Sequence, residues 1–526
     1  MSSKRSARES EPSIDIPRSL NVAHEFIELP AEQYGETIAY VCDDRRLSFA
    51  ELRRLVNRTG NALAALGVEM EQRVGILLPN VPEFVASFFG AIQIGAVPIA
   101  ISTVIAPAER AFLLADSRAR ALIVAAPLWP SLRERRAEFP FLRHVLVFDG
   151  ADLRPGEHDF GALLAAAGED LQAAPTTADD VAFWLHTSGS TGTPKWAVHL
   201  QRNMLYAEQL YARPFLDLRP GDVVLAGGPC FHAYPLGLTT YFSLRAGATV
   251  VLNSQRATPA RVFELIARHR VTVLAVVPTL YAQLLQAASH LPDVDLSTLR
   301  LCLSAAEPLP AELQRRWMKR FALEILDGIG TTEALHIFIS NRIGAVRFGS
   351  SGRAVPGYEV RLLDEEGGEV SDGEIGSLCI QGGSLFAGYW NRHEVNRRVL
   401  QGPWYHTGDK YTRDADGFYW YCGRADDMLR VSGHWVSPAE VESCLVTHPA
   451  VLEAAVVGRP DADELIKPRA FVVLREGTRA SDELAEELKA YVKSRIAPYN
   501  YPRWVEFVGD LPKTATGKIQ RYKLRG

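Results

Sequence analysis

Short apolar, β-branched runs alternate along most of this chain with segments whose apolar residues recur at helical spacing. Arg73-Val74-Gly75-Ile76-Leu77-Leu78, Ala121-Leu122-Ile123-Val124 and Val273-Leu274-Ala275-Val276-Val277 read as buried strands, and Pro259–His269 and Ala311–Arg320 as amphipathic helices. Alternation of this kind predicts an α/β fold built on largely parallel sheets, because parallel strands need a crossover that a helix supplies. From Val360 onward the strands shorten and Gly/Asp turns intervene, as in Leu363-Asp364-Glu365-Glu366-Gly367-Gly368 and Arg413-Asp414-Ala415-Asp416-Gly417, which predicts a small β-rich region. The last hundred residues alternate again: a helix over Pro438–Thr447, strands over Leu452–Val457 and Ala470–Leu474, and a helix over Ser481–Arg495. They predict a compact α+β domain. The polar turn Gly423-Arg424-Ala425-Asp426-Asp427 is the expected boundary, giving a tail over 1–20, a large domain over 21–425 and a small one over 426–526.

The stretch Val85 to Ala108 carries no charge and is long enough to span a bilayer. Gln93, Gly95 and Pro98 interrupt it, so a buried helix ending near Gly95 followed by a buried strand from Val97 to Ile101 is expected instead. Composition narrows the function. At 526 residues the chain exceeds one hydrophobic core, and 47% hydrophobic content supports a folded protein. Lys+Arg number 57 against 62 Asp+Glu, a net charge of −5, which offers no field for nucleic acid or an anionic membrane. Cys42, Cys230, Cys302, Cys379, Cys422 and Cys444 form no CxxC pair, so neither a metal site nor a disulfide framework is expected, and a reducing cytoplasm fits. The charged first twenty residues lack the apolar core of a signal peptide.

Polar clusters carry the candidate chemistry. Thr187-Ser188-Gly189-Ser190-Thr191-Gly192-Thr193-Pro194-Lys195 holds five hydroxyls, two glycines and a lysine just after the apolar run Val181–Leu185. Glycines let backbone N–H groups turn toward an anion, hydroxyls add donors, and the lysine adds a mobile charge, so the segment suits a phosphate; a polar surface turn has the same composition. It is not a Walker A loop, since no Gly-Lys-Ser/Thr follows the required spacer. Asp327-Gly328-Ile329-Gly330-Thr331-Thr332-Glu333 follows an apolar strand and could hold Mg²⁺ through a carboxylate and shared phosphate oxygens. Tyr405-His406-Thr407-Gly408-Asp409 and the turn bearing Arg424 could hold ribose hydroxyls, and Leu511-Pro512-Lys513-Thr514-Ala515-Thr516-Gly517-Lys518-Ile519 is a second glycine turn with lysine.

In this order and spacing the five clusters resemble the adenylate-forming superfamily of acyl-CoA synthetases, peptide-synthetase adenylation domains and luciferases, over about Asn21 to Arg525. Glu333-Ala334-Leu335-His336-Ile337-Phe338 and Asp426-Asp427-Met428-Leu429-Arg430-Val431-Ser432-Gly433 are most similar to the benzoate-CoA ligases. The resemblance implies ATP, Mg²⁺ and coenzyme A as cofactors and cosubstrates, a small carboxylic acid as substrate, and two steps. The carboxylate attacks the α-phosphate and releases pyrophosphate, and a thiolate then displaces AMP from the acyl-adenylate. It assigns catalysis to Lys518, Glu333 and Thr332, with Glu333 holding the metal. Thr187, Ser188, Gly189, Ser190, Thr191, Gly192 and Lys195 would hold the β- and γ-phosphates. Asp327, Gly328 and Ile329 would hold the adenine side, and Asp409 and Arg424 the ribose. His232, Ala233, Tyr234, Ala305, Ala306, Gly330, His336 and Ile337 would line the acid pocket. Ser432, Gly433, His434 and Trp435 would line the thiol tunnel, and Asp426 would be the hinge about which the small domain turns between steps.

Three positions depart from the family pattern. Trp196 replaces a loop-closing glycine and is expected either to slow loop closure or to pack on the domain surface; Ala306 replaces the glycine before Glu307; His232 replaces an aromatic residue. The last two are expected to narrow or polarise the pocket in favour of a substituted or smaller acid. His232 and His336 read equally as core histidines or as partners of a ring substituent. The thiol acceptor could be free CoA or a carrier protein's phosphopantetheine, and a nucleotide-binding protein without turnover is the non-enzymatic alternative.

Overall fold

The computed structural model describes residues 14–150, 152–188, 193–291, 294–431, 434–461, 464–497, 500–513 and 519–525. Two large sheets dominate. In one of nine strands, six are mutually parallel: Ile325–Gly330, Leu301–Ser304, Val273–Ala275, Val223–Ala226, Thr249–Leu252 and Ile38–Cys42, in that spatial order. The other, of eight strands, holds six more parallel strands from Val181–Ser188 through Val97–Ala100, Arg73–Leu77, Ala121–Ala125 and His144–Phe148 to Glu157–Asp159. Their facing sides share one continuous core, while separate apolar clusters under helices cover the outer faces.

The expected elements form for the expected reasons. The helix Pro259–His269 starts after Thr258, whose side chain accepts the N–H of Arg261, and ends on Arg270 in the left-handed region. The uncharged stretch resolves into the buried helix Pro82–Gln93 and the strand Val97–Ala100, and no described helix is long and apolar enough to cross a membrane. The strand expected over 273–277 is shorter, at Val273–Ala275.

Beyond Val355 the chain builds an antiparallel five-stranded sheet that includes Gly376–Gln381, Trp404–Arg413 and Tyr419–Arg424. A hairpin (Leu429–Val431 with His434–Val436) leads into the last unit. There the helices Pro438–Val446 and Asp482–Arg495 cover a sheet of Val451–Pro460, Ile466–Leu474 and Trp504–Phe507, with a core of its own. Of the expected tail, residues 1–13 lie outside the described residues.

Candidate active site

The segment read as a phosphate loop joins two antiparallel strands, Val181–Ser188 and Pro194–Leu200, in which Thr187 faces Lys195. Its two ends thus belong to antiparallel partner strands near one edge of the eight-stranded sheet. Gly189, Ser190, Thr191 and Gly192 lie outside the described residues. Pro194–Leu200 also pairs with the two-residue strand Gly388–Tyr389, Tyr389 opposite Ala197, and this brings Tyr389 beside the loop. Lys195 Nζ stands 4.8 Å from the centroid of the Tyr389 ring. Burial lowers the Lys195 pKa, and Glu333 opposes that shift.

Glu333 lies in the short 3₁₀ turn Thr332–Ala334 after the strand Ile325–Gly330, where the Thr331 side chain accepts the Ala334 N–H. Leu335 then takes φ 67°, with the His336 N–H donating to the Ala334 carbonyl at 2.8 Å. A bulky buried residue at positive φ is an outlier. Here it reverses the chain, so that Ile337–Ser340 returns antiparallel to Ile325–Gly330. Glu333 is 6% exposed and accepts the Tyr389 hydroxyl at 2.5 Å. The Phe386 N–H donates to the Glu333 carbonyl, and the Thr332 carbonyl lies 2.8 Å from His199 Nε2. Among the described residues no group of three or more His, Cys, Asp or Glu could cage a metal. A single hard carboxylate beside the segment read as a phosphate loop is the donor type that suits Mg²⁺ held jointly with phosphate oxygens.

Asp409 and Arg424 sit opposite each other on adjacent antiparallel strands, with Nη1 3.0 Å from Oδ1 and from the Thr407 carbonyl. Burial works against the Arg424 charge, yet Asp409 more than restores it and its pKa lies above the usual value. Glycine is favoured at 408: its φ is 77°, in the left-handed region, and an added Cβ would stand 2.8 Å from Arg424 Nη2. Asp327 is 5% exposed, and its Oδ1 has no hydrogen-bond partner among the described residues. Burial drives its pKa well above the carboxylate range, with the Ser304 hydroxyl and the Gly328 N–H pulling the other way.

Of the residues expected on the acid side, Tyr234 in the helix Ala233–Thr239 and Gly330 at the end of the strand Ile325–Gly330 meet around His336. Ala233, Ala305 and Ile337 are buried, and the Tyr234 hydroxyl is buried without a hydrogen-bond partner among the described residues. His336 is enclosed by Phe242, Tyr211 and Tyr234 at ring distances of 4.6, 5.3 and 5.7 Å, with Nε2 3.2 Å from the Tyr234 carbonyl. Burial depresses its pKa to about 3, so the ring is neutral. Gly330 and Gly237 allow this closeness, since a Cβ on either would stand 2.4 Å and 2.6 Å from His336 atoms. His232 packs against Phe231 and His186, at 4.7 and 6.2 Å. Ala306 is exposed and holds φ 76°, a left-handed conformation that glycine takes without strain.

The expectation that Trp196 packs on the domain surface is corrected. The residue is neither on the surface nor in the loop: it lies inside the strand Pro194–Leu200, is 0% exposed, and donates Nε1–H to the Leu113 carbonyl at 3.3 Å. Its ring fills the outer core beside Trp184 and edge-on to His186.

Of the residues expected on the thiol side, Trp435 is not gathered at this site. Trp435 lies 5.7 Å from Lys410 Nζ and 5.2 Å from Arg430, and Lys410 points to the face of its strand opposite Asp409. Ser432, Gly433 and Lys518 lie outside the described residues, and the His434 side chain is not described. The chain just past Lys518 does come near the Asp409–Arg424 pair. Arg521, bound bidentately to Glu442, acts electrostatically on Tyr421, as do Asp409 and Arg424. Asp426 occupies the turn between Tyr419–Arg424 and Leu429–Val431, and its carbonyl accepts from Arg525.

Residues 27–390 match the AMP-binding enzyme family and 440–518 the AMP-binding enzyme C-terminal domain. The chain belongs to the AMP-binding enzymes. Among its relatives, the benzoate–CoA ligase of Thauera aromatica is 48% identical over 518 residues, covering 98% of this chain and 97% of that protein. The 4-hydroxybenzoate–CoA/benzoate–CoA ligase of Rhodopseudomonas palustris is 42% identical, covering 97% and 94%. A crystal structure of the anthranilate CoA ligase AuaEII with anthranoyl-AMP superposes with a TM-score of 0.92 at 40% identity, covering 97% of each chain. A benzoate CoA ligase from Burkholderia xenovorans gives 0.88 at 43% identity, covering 96% and 100%.

Tyr389 is the residue of this AMP-binding enzyme that motif reading missed. Its only sequence signal is a tyrosine after glycine in a two-residue strand, and what makes it part of the site is pairing with a strand some 190 residues earlier.

Proposed function

We propose that this protein is an ATP-dependent ligase that activates a benzoate-like aromatic acid as its acyl-adenylate and transfers the acyl group to the thiol of coenzyme A. The observation that carries the reading is one of placement. Lys195 and Glu333 both contact Tyr389, the Asp409–Arg424 pair lies near enough to act electrostatically on Lys195 and on Tyr405 together with Glu333, and the turn that carries Glu333 runs on into His336, packed against Tyr234 and Gly330. Sequence identity of 48% to a benzoate–CoA ligase supports the same conclusion.

In the first step a carboxylate oxygen forms a bond to the α-phosphorus and the bond to the β-phosphate oxygen breaks. Lys195 and the hairpin N–H groups would take up the charge on departing pyrophosphate, and Lys518 would neutralise the approaching carboxylate and α-phosphate. Mg²⁺, held through Glu333, would shield the phosphate charges. Asp409 with Arg424 would fix the ribose, and the Asp327 Oδ1, without a hydrogen-bond partner among the described residues, suits the adenine amino group. In the second step the CoA sulfur bonds to the acyl carbon and AMP leaves with the original carboxylate oxygen. The position of Arg521 beside Tyr421, with Trp435 turned away against Lys410, supports reading this arrangement as the one for the first step, and a turn about Asp426 would prepare the second. With its six cysteines free and buried, the protein fits a reducing cytoplasm.

The test is an acid panel. Pyrophosphate release and thioester formation are followed with benzoate, hydroxy- and aminobenzoates and short aliphatic acids, each with free CoA or with a purified carrier protein. The reading predicts turnover with aromatic acids and free CoA, and a substituted benzoate outrunning benzoate would support the roles given to Ala306 and His232. Turnover confined to aliphatic acids, or to the carrier protein, would overturn it.

A further inference from the structure

Glu333 and Lys195 carry opposite charges in a partly buried cleft, where such groups attract strongly. Left to themselves they would pair with each other and serve neither metal nor phosphate. Among the described residues they do not pair: the Glu333 carboxylate is taken up by the Tyr389 hydroxyl, and the Lys195 ammonium rests on the Tyr389 ring face. Tyr389 is itself rigidly held. Its N–H donates to Asn396 Oδ1 and its carbonyl accepts Asn396 Nδ2–H, both at 2.8 Å. Phe386 packs against its ring at 4.9 Å and sends its N–H to the Glu333 carbonyl. The strand pairing opposite Ala197 ties it to the segment that carries Lys195.

We infer that Tyr389 is a positioning residue with two separable roles: its hydroxyl orients Glu333 toward the metal, and its ring holds Lys195 off Glu333 and toward the phosphates. The inference rests on the nucleotide assignment above but not on the identity of the acid. A single phenol can perform both tasks because its hydroxyl lies in the ring plane and its π face is perpendicular to it.

The two roles separate by substitution. Tyr389→Phe keeps the ring and removes the hydroxyl, and Tyr389→Leu removes both. Binding of ATP with Mg²⁺ is measured by calorimetry on the full chain in three backgrounds: wild type, Glu333→Gln and Lys195→Ala. Tyr389→Phe is expected to weaken binding about tenfold in the wild type, the scale of a hydrogen bond to a charged group, and less than about twofold once Glu333 is neutral. Going from Phe to Leu is expected to cost a further factor of about five in the wild type, the scale of a cation–π contact, and almost nothing in Lys195→Ala. Equal losses in all three backgrounds would show Tyr389 to be merely structural and would overturn the inference. Should Tyr389→Leu fail to fold, the Phe series with Glu333→Gln decides alone. The ligase reading fails separately, if wild-type enzyme releases no pyrophosphate with any acid while the binding pattern holds.

Discussion

Replacing Trp196 with the glycine usual at its position should unfold the outer core of the large domain and leave the chemistry of the intact enzyme unaltered. The indole is 0% exposed and fills the cluster beside Trp184, Leu113 and Trp129. Burying about 250 Å² at about 25 cal/mol/Å² gives about 6 kcal/mol as an upper figure, and allowing for a compact denatured chain lowers it to about 4–5 kcal/mol. Glycine in a strand adds roughly 1 kcal/mol, so Trp196→Gly should cost about 5 kcal/mol, a large part of what holds a domain together. Trp196→Phe keeps most of the ring but loses the Nε1–H bond to the Leu113 carbonyl, for about 1–3 kcal/mol. Urea unfolding followed by circular dichroism reads both, and kcat for pyrophosphate release is measured on the folded fraction. An unchanged midpoint with altered kcat in Trp196→Phe would refute this reasoning and return the indole to the loop.

Three further outcomes are expected. Ala306→Gly removes the left-handed strain of an alanine at φ 76° and should stabilise the protein by about 1 kcal/mol in the same urea assay. Burial holds the pKa of His186 and His199 at about 4 and that of His336 at about 3. The unfolded chain therefore binds protons below about pH 6.5 that the folded state refuses. The histidine contribution to stability should be steady above that pH and fall toward pH 4 with a slope of up to about 4 kcal/mol per unit, offset in part by Asp327, whose raised pKa acts in the opposite sense, so stability should still drop from pH 7 to pH 5 and a flat profile there would contradict this. Arg424→Ala leaves the buried Asp409 without its cation and should raise the KM for ATP about tenfold or more with little change in the KM for the acid; equal effects on both would count against a ribose role.

The parts of the fold that are local were legible. Pro259–His269 carries its own cap, first-turn proline and apolar stripe, so its bounds follow from neighbours in sequence. The same holds for the runs that became central strands, since continuous β-branched stretches suit burial on both faces. What depended on pairing across the chain was not legible. The loop from Thr187 to Lys195 was visible as polar, but its hairpin geometry needed Pro194–Leu200 to pair backward onto Val181–Ser188. Trp196 misled because its place next to a glycine loop hid a strand register that points the indole to the carbonyl of Leu113, 83 residues away. Asp409 and Arg424 were both legible as ribose candidates from separate clusters, and their direct opposition appears only once the two strands pair. Lys518, the residue on which the proposed chemistry turns most, was read from its motif alone and lies outside the described residues.

The acyl-adenylate itself can be tested by following one atom. With an aromatic acid labelled with ¹⁸O in both carboxylate oxygens, turnover with ATP and CoA should place one ¹⁸O in each AMP and none in pyrophosphate, because the attacking oxygen stays with the α-phosphate when the thiol displaces AMP. Label in pyrophosphate or inorganic phosphate, or unlabelled AMP, would contradict the account.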